Sequence, residues 1–202
     1  MARLAIIDYG MGNLRSVQKA FEYLGIAAEI TDDADVLKSA DGAVLPGVGA
    51  FRDCISQLTA TGLVPHIADF VASGRPFLGI CLGLQLLFDG SDEGGDHTGL
   101  GLLPGRVVEL PHDRKIPHMG WNTLRILQSG PLLEGIQDGD AVYFVHSFHA
   151  QPADPALLSA TTEYGIAVTA AVQRGNLFAT QFHPEKSGEV GLRILRNFGG
   201  LL

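Results

Sequence analysis

The first half of the chain alternates two hydrophobic rhythms. Leu4-Ala-Ile-Ile7 is a short unbroken apolar run, which Gly10-Met-Gly12 interrupts. Leu14, Val17, Phe21 and Leu24 then recur at intervals of three and four, one face of a helix that ends at Gly25. Residues 27–31 read as a second strand and Ala43-Val-Leu45 as a third. Phe51, Cys54, Ile55 and Leu58 mark a further helix stopped by Gly62, and another through Ile67 and Val71 ends near Gly74. Pro76-Phe-Leu-Gly-Ile80 reads as a buried strand, with a helix from Leu82 to Phe88 behind it. Strands spaced by amphipathic helices predict a parallel sheet covered on both faces, because crossover helices must lie on those faces.

The second half changes rhythm. Residues 89–101, rich in Gly and Asp, read as a surface loop. Strand-like segments follow at 105–110, 141–148, 165–172 and 177–182, and Gln173-Arg-Gly-Asn176 puts a glycine at the tip of a hairpin between the last two. Val190, Ile194, Leu195 and Phe198 form a closing helix. With no stretch long enough to be a linker, residues 1–202 are expected to form one α/β domain. Its layers run α/β/α around a mainly parallel central sheet with antiparallel additions.

Composition narrows the function. A length of 202 residues suits one domain, and 46% apolar against 18% charged residues excludes a disordered chain. Fourteen basic against 22 acidic residues leave a net charge of −8, which opposes binding to a nucleic-acid phosphate backbone. No run of 18 apolar residues predicts a membrane span, and the four-residue run near the N-terminus is too short for a signal peptide. Two cysteines, Cys54 and Cys81, are too few for a disulfide framework, so a reducing, cytoplasmic setting is expected.

The sharpest chemical signal is Gly79-Ile-Cys81-Leu-Gly83. A buried strand enters it and a helix leaves it, the arrangement of a nucleophile elbow with cysteine in the serine position. The glycines permit the tight turn that lifts Cys81 above the strand ends. There the helix N-terminus favours thiolate, and the Leu82 N–H can meet an oxyanion. Cys54, on an apolar helix face, reads as a small buried hydrophobe. A thiol nucleophile needs a base and the base an orienting group. Phe182-His183-Pro184-Glu185 offers both, since side chains at i and i+2 of an extended chain share one side. The order Cys, His, Glu departs from α/β-hydrolases, in which the acid precedes the histidine. Pro46-Gly-Val-Gly-Ala-Phe51 follows a strand, either as a ligand-binding loop at the carboxyl end of the sheet or as a plain strand-to-helix turn.

Gly79-Ile-Cys-Leu-Gly-Leu-Gln85 together with His183-Pro-Glu185 resembles the class I (triad) glutamine amidotransferases. Asp8–Arg15, Pro46–Phe51, Pro117-His-Met-Gly-Trp-Asn122, Tyr143–Phe148 and Gln181–Ser187 are similar to one branch of that class, the glutaminase subunits of imidazole glycerol phosphate synthases. The likeness runs from residue 4 to about residue 198. It implies the class I glutamine amidotransferase fold, with Cys81 as nucleophile, His183 as proton carrier and Glu185 as its anchor. It further implies an oxyanion hole from the N–H groups of Val48 and Leu82, the Val48 peptide being able to flip. Glutamine would be gripped by Gly49, Gln85, Ser147 and Phe148, of which Gln85 lies one helical turn after Cys81. The implied partner is a (β/α)8-barrel synthase subunit in a heterodimer, docked through Asn13, Arg15, Met119, Trp121, Tyr143 and Lys186. Trp121 reads equally as an exposed interface anchor or a core residue. The competing readings are a glutaminase subunit of another synthase and a catalytically idle, partner-binding subunit.

Three further signals carry no function. Gly10-Met-Gly-Asn-Leu-Arg15 lacks the third glycine of a dinucleotide fingerprint, despite Asp32 about 20 residues on. Asp89, Asp92, Glu93 and Asp96 lack the spacing of a calcium loop and read as a solvated turn. His146 and His149, three apart in one predicted strand, would face opposite sides and could not share a metal. No metal and no cofactor are implied.

Overall fold

The computed structural model describes residues 2–202. Its first half follows the predicted alternation: β1 (Leu4–Ile7), α1 (Leu14–Tyr23), β2 (Ala28–Thr31), α2 (Ala34–Ser39), β3 (Gly42–Gly47), α3 (Phe51–Ala60), α4 (Val64–Ala72), β4 (Phe77–Cys81) and α5 (Leu82–Leu86). The second half adds β5 (Phe88–Ser91), β6 (His97–Thr98), β7 (Leu103–Glu109), β8 (His118–Thr123), β9 (Arg125–Ile126), β10 (Ala141–His146) and β11 (Phe148–Pro152). It closes with β12 (Leu158–Glu163), β13 (Ala167–Arg174), β14 (Leu177–Thr180) and α6 (Gly188–Gly199). The central sheet has the order β2-β1-β3-β4-β14-β13-β12-β9. Neighbours from β2 to β14 pair in parallel, and β13, β12 and β9 extend the sheet antiparallel.

Strand alternation sorts the core into two layers. Ala5 and Ile7 of β1 and Ala43 and Leu45 of β3 pack with Leu37, Phe51, Leu58, Ile67 and Phe70 of α2, α3 and α4. Leu4, Ile6 and Val44 face the other way, onto Val17 and Phe21 of α1 and Ile194, Leu195 and Phe198 of α6. Period-two side chains thus put helices on both faces, which makes the three-layer α/β/α architecture.

Four expectations about elements change. The helix predicted over 82–88 ends at Leu86, and after Leu87 the chain passes straight into β5 at Phe88. Residues 89–101 are no plain loop: β5 and β6 join β7 and β11 in a separate four-stranded sheet. Nor are their carboxylates simply solvated, since Arg106 pairs with Asp92 and Asp96 and the Gly105 N–H donates to Asp89. Segment 141–148 splits at Ser147 into β10, paired with β8 in a two-stranded ribbon, and β11 in the four-stranded sheet. His146 and His149 therefore sit on strands of different sheets. The pattern also misses α2, which buries one leucine over six residues, β8 and β9, and β12, which buries Ser159, Thr161 and Thr162.

Candidate active site

β3 and β4 lie side by side with Gly47 opposite Cys81, so the segments leaving their carboxyl ends meet at one edge of the sheet. There Cys81 adopts φ 56°, ψ −110°, and among the described residues no other non-glycine has positive φ. Such backbone strain, about 1–3 kcal/mol, persists only when surrounding packing dictates it. The surroundings do: a Cβ on Gly83 would collide with the Leu45 carbonyl, and one on Gly79 would lie 2.9 Å from the Gly83 carbonyl oxygen. The elbow is pressed against β3, and the glycines make that contact possible. The helix that follows runs only five residues. Cys81 is 6% exposed.

His183 follows β14 and faces the same crevice. Its backbone N–H donates to the Tyr143 carbonyl at 3.0 Å, and its own carbonyl accepts from Ser187 Oγ at 2.6 Å. Its Nδ1 lies 2.8 Å from Glu185 Oε1, with both side chains almost fully buried. The expected extended geometry holds for His183 alone (φ −98°, ψ 97°). Residues Pro184–Lys186 form a 3-10 turn, which swings Glu185 back under the ring. The contact is as predicted, while the backbone that makes it is tighter. Because the carboxylate accepts from Nδ1–H, Nε2 is left as the working nitrogen, and it is buried without a hydrogen-bond partner. Burial pushes the His183 pKa down, but interactions with the Cys81 sulfur and the Glu185 carboxylate outweigh it and raise the value to about 9. The ring is then imidazolium at neutral pH.

A cleft of about 260 Å³ opens above these groups, a size for an amino acid rather than a drug-sized molecule. Val48, Gly49, Cys81, Leu82, Gln85, Ser147, Phe148 and His183 all line it, so the structure gathers every predicted catalytic, oxyanion and glutamine-contact residue except Glu185, which stands behind the histidine. The Pro46–Gly49 segment is held from its hidden side: Tyr9 Oη donates to the Pro46 carbonyl at 2.9 Å and Cys54 Sγ to the Val48 carbonyl at 3.3 Å. Cys54 is buried as expected, and burial chiefly pushes its thiol up to about 11.

Two residues around Cys81 carry no role in the sequence analysis, one lining the cleft and one buried beneath it. Glu93, set aside as part of a solvated turn, lines the cleft as its one carboxylate among the described residues. Its Oε2 accepts from the Phe51 N–H at the start of α3 at 2.8 Å. Nothing local marks it, since 42 residues separate the two partners. Gln181 lies in the block that precedes His183, at the same i, i+2 spacing that was read only for Glu185.

The β8–β10 ribbon closes one side of the cleft and carries three of the six predicted docking residues. Met119 and Trp121 are 61% and 60% exposed, which settles Trp121 as a surface residue; Tyr143 stands opposite it with ring centroids 6.1 Å apart. Arg15 and Lys186 are exposed, and Asn13 and Tyr143 half-buried. On the inner side His118 Nδ1 and His146 Nε2 are 3.0 Å apart, His146 Nδ1 is 2.8 Å from the Phe148 carbonyl, and Asn122 Nδ2 is 3.1 Å from His118 Nε2. A carbonyl can only accept, so His146 carries its proton on Nδ1 and His118 on Nδ1, both rings neutral. Burial pushes their pKa values down to about 4 for His118 and about 3 for His146. Among the described residues no group of three His, Cys, Asp or Glu is placed to hold a metal ion.

Comparison with known proteins gives this geometry a context. The family model described as "Glutamine amidotransferase class-I" matches residues 5–200. The chain is 58% identical to the imidazole glycerol phosphate synthase subunit HisH of Syntrophotalea carbinolica, over 98% of this chain and 100% of that protein. It is 53% identical to the protein of the same name from Caldanaerobacter subterraneus subsp. tengcongensis, over 98% of each. Among solved structures, PurLQS from Thermotoga maritima superposes with a TM-score of 0.78 at 21% identity, over 98% of this chain and 97% of that one, a likeness of fold.

Proposed function

Because the chain belongs to the class-I glutamine amidotransferase family, we propose that it is the glutamine-hydrolysing subunit of an imidazole glycerol phosphate synthase and that Cys81, His183 and Glu185 do its chemistry. The observation that carries the chemical assignment is a strained cysteine sharing a cleft with a buried imidazole, which is itself anchored by a buried carboxylate at 2.8 Å.

The thiolate of Cys81 attacks the side-chain amide carbon of glutamine. The C=O electrons move to oxygen, and the oxyanion is met by the Leu82 and Val48 N–H groups. His183 gives its Nε2 proton to the departing nitrogen, and ammonia leaves a γ-glutamyl thioester on Cys81. The neutral ring then takes a proton from water, hydroxide attacks the thioester, and glutamate and the thiolate are released. Glu185 keeps Nε2 facing the reaction throughout. Gly49, Ser147 and Phe148 supply the walls that hold the substrate. The role of Gln85 narrows: both its amide N–H groups are taken by the Phe148 carbonyl and Gln181, so only its Oε1 is left to meet the substrate amide. Glu93 binds the α-ammonium group of glutamine, as the one carboxylate lining the cleft among the described residues. Glu93→Gln is expected to raise KM for glutamine about 10- to 100-fold with kcat within about threefold, the pattern of lost ground-state binding. Steady-state glutamate release measures both.

The ammonia goes to a (β/α)8-barrel synthase subunit in a heterodimer, docked over the exposed Met119–Trp121 face with Asn13, Arg15, Tyr143 and Lys186 around it. An interface centred on an exposed tryptophan and methionine has the composition of an anchor patch. The test is co-purification with such a barrel subunit, with glutamate release measured alone, with partner, and with partner plus its nucleotide substrate. Weak activity alone and strong stimulation in the full mixture are expected. Equal rates in all three would refute activation of the glutaminase by its partner.

A further inference from the structure

Gln181 is the last residue before the Phe182-His183 step and is completely buried. Its amide has no freedom of direction. The Phe148 carbonyl accepts from Gln85 Nε2 at 2.9 Å, and a carbonyl cannot donate, so the NH2 end of Gln85 is fixed. The same Nε2 donates at 3.0 Å to Gln181 Oε1, which fixes Gln181 in turn. The NH2 end of Gln181 is thereby aimed at the nucleophile, with Nε2 3.7 Å from Cys81 Sγ. A chain of one carbonyl and two amides, anchored on main chain, ends on the sulfur. The Phe148 carbonyl also receives Nδ1 of His146, so its position is held from two sides.

We propose that Gln181 is a further catalytic residue: its amide N–H is a preorganised donor to the Cys81 thiolate, and Gln85 is the positioning residue that keeps the donor end turned toward the sulfur. This rests on the glutaminase reading above for its purpose, not for its geometry. A buried amide in this place acts twice in each cycle. It stabilises the thiolate that attacks glutamine, and it stabilises the thiolate again when it is expelled as the thioester is hydrolysed. A hydrogen bond to an ionised group is stronger than one to a neutral group, so the donor favours the charged sulfur over the thiol. Gln181 itself is fully buried, so on its side of the sulfur no solvent molecule takes the place of the amide. The His183 ring and the N–H of Gln181 then act on one atom, both from the segment that follows β14.

The test reads the sulfur without glutamine chemistry. Alkylation of Cys81 by iodoacetamide needs the thiolate but forms no oxyanion and expels no amine, so its pH dependence isolates the contact. The reaction is followed by peptide mass mapping, which separates Cys81 from the buried Cys54. In Gln181→Met, which keeps the length and loses the donor, the pH midpoint of Cys81 alkylation is expected to rise by about one unit. The kcat for glutamine is expected to fall about 10-fold with KM within about twofold. Gln85→Leu leaves Gln181 in place but removes the anchor of its amide, and is expected to give a smaller rise in the same direction. It also serves if Gln181→Met does not fold. An unchanged alkylation midpoint in either folded variant, even with activity reduced, would overturn the proposal and leave Gln181 a packing residue. If the unsubstituted protein releases no glutamate in the full mixture, the glutaminase reading fails, while the alkylation profile still decides the contact.

Discussion

Cys81→Ala is expected to release no measurable glutamate, a loss of at least about 10⁴-fold, in the complex with its partner and nucleotide as well as alone. The sulfur is the atom that forms the covalent intermediate, and Cys54, the other thiol, is bound to the Val48 carbonyl, with burial holding it protonated. His183→Asn is expected to cost about as much, and the double variant no more than either single one, because residues that act as a unit are not additive. Glu185→Gln tests the anchor. An amide in that position presents a donor to Nδ1 and so favours the wrong tautomer, with an expected loss of about 10²- to 10⁴-fold in kcat. Detectable turnover by Cys81→Ala would mean another nucleophile. The elbow adds a stability signature to the same series. Cys81 sits at φ 56°, so Cys81→Gly is expected to be more stable than Cys81→Ala by about 1–2 kcal/mol, although glycine carries the larger entropy cost. Urea unfolding of the two variants measures it. The reverse order would show that the strain is not felt at this position.

The second large effect is on stability at mildly acid pH. His118, His146 and His149 are buried, and burial is the leading cause that pushes their values down to about 4, 3 and 4. In the unfolded chain each titrates near 6.5, so between about pH 6.5 and pH 4 the unfolded state binds protons that the folded state does not. Stability therefore rises with pH across that window and falls on acidification. At pH 5 the imbalance approaches three protons, a slope of roughly 4 kcal/mol per pH unit, comparable with the whole stability of a domain of this size within two to three units. His183 has the opposite sign. Its folded value, about 9, lies above the unfolded one, so its contribution is complete below about pH 6.5 and is lost as pH rises through 9. Urea unfolding from pH 4 to pH 9 is thus expected to show greatest stability near pH 6.5, with the steep limb on the acid side. His146→Gln is expected to flatten that limb. A flat profile from pH 4.5 to 6.5 would mean that these rings are not neutral in the folded protein.

Much of the fold was legible because local physics repeated itself. In the first half, Leu14, Val17 and Phe21 mark α1 and the Leu4–Ile7 run marks β1, since each element buries a face whose period belongs to it. Legibility failed where burial did not follow hydrophobicity. β12 hides serine and threonine at the sheet interior, and β5 begins in a segment whose glycines and aspartates look like a loop until Arg106 and the Gly105 N–H are there to meet the charges. The break at Ser147 was invisible because both sides of it are strand-like; only the pairing of β10 with β8 and of β11 with β7 divides them.

For the site, the sequence alone determined the chemical identities: a cysteine between glycines, a histidine and a glutamate two residues apart, and a glycine-bearing loop after a strand. Short-range constraints suffice for these, because a strained turn and a near-neighbour carboxylate are both properties of a few adjacent residues. Tertiary structure decided everything that depends on residues far apart in the chain. Register between β3 and β4 sets Gly47 opposite Cys81, the crossing of Gln85 and Gln181 over 96 positions aims an amide at the sulfur, and a bend at Ser147 brings Phe148 and Glu93 to the same cleft. The physical reason is that hydrogen-bond direction and charge placement are settled by which surfaces pack together, and packing is a property of the whole chain rather than of any window along it.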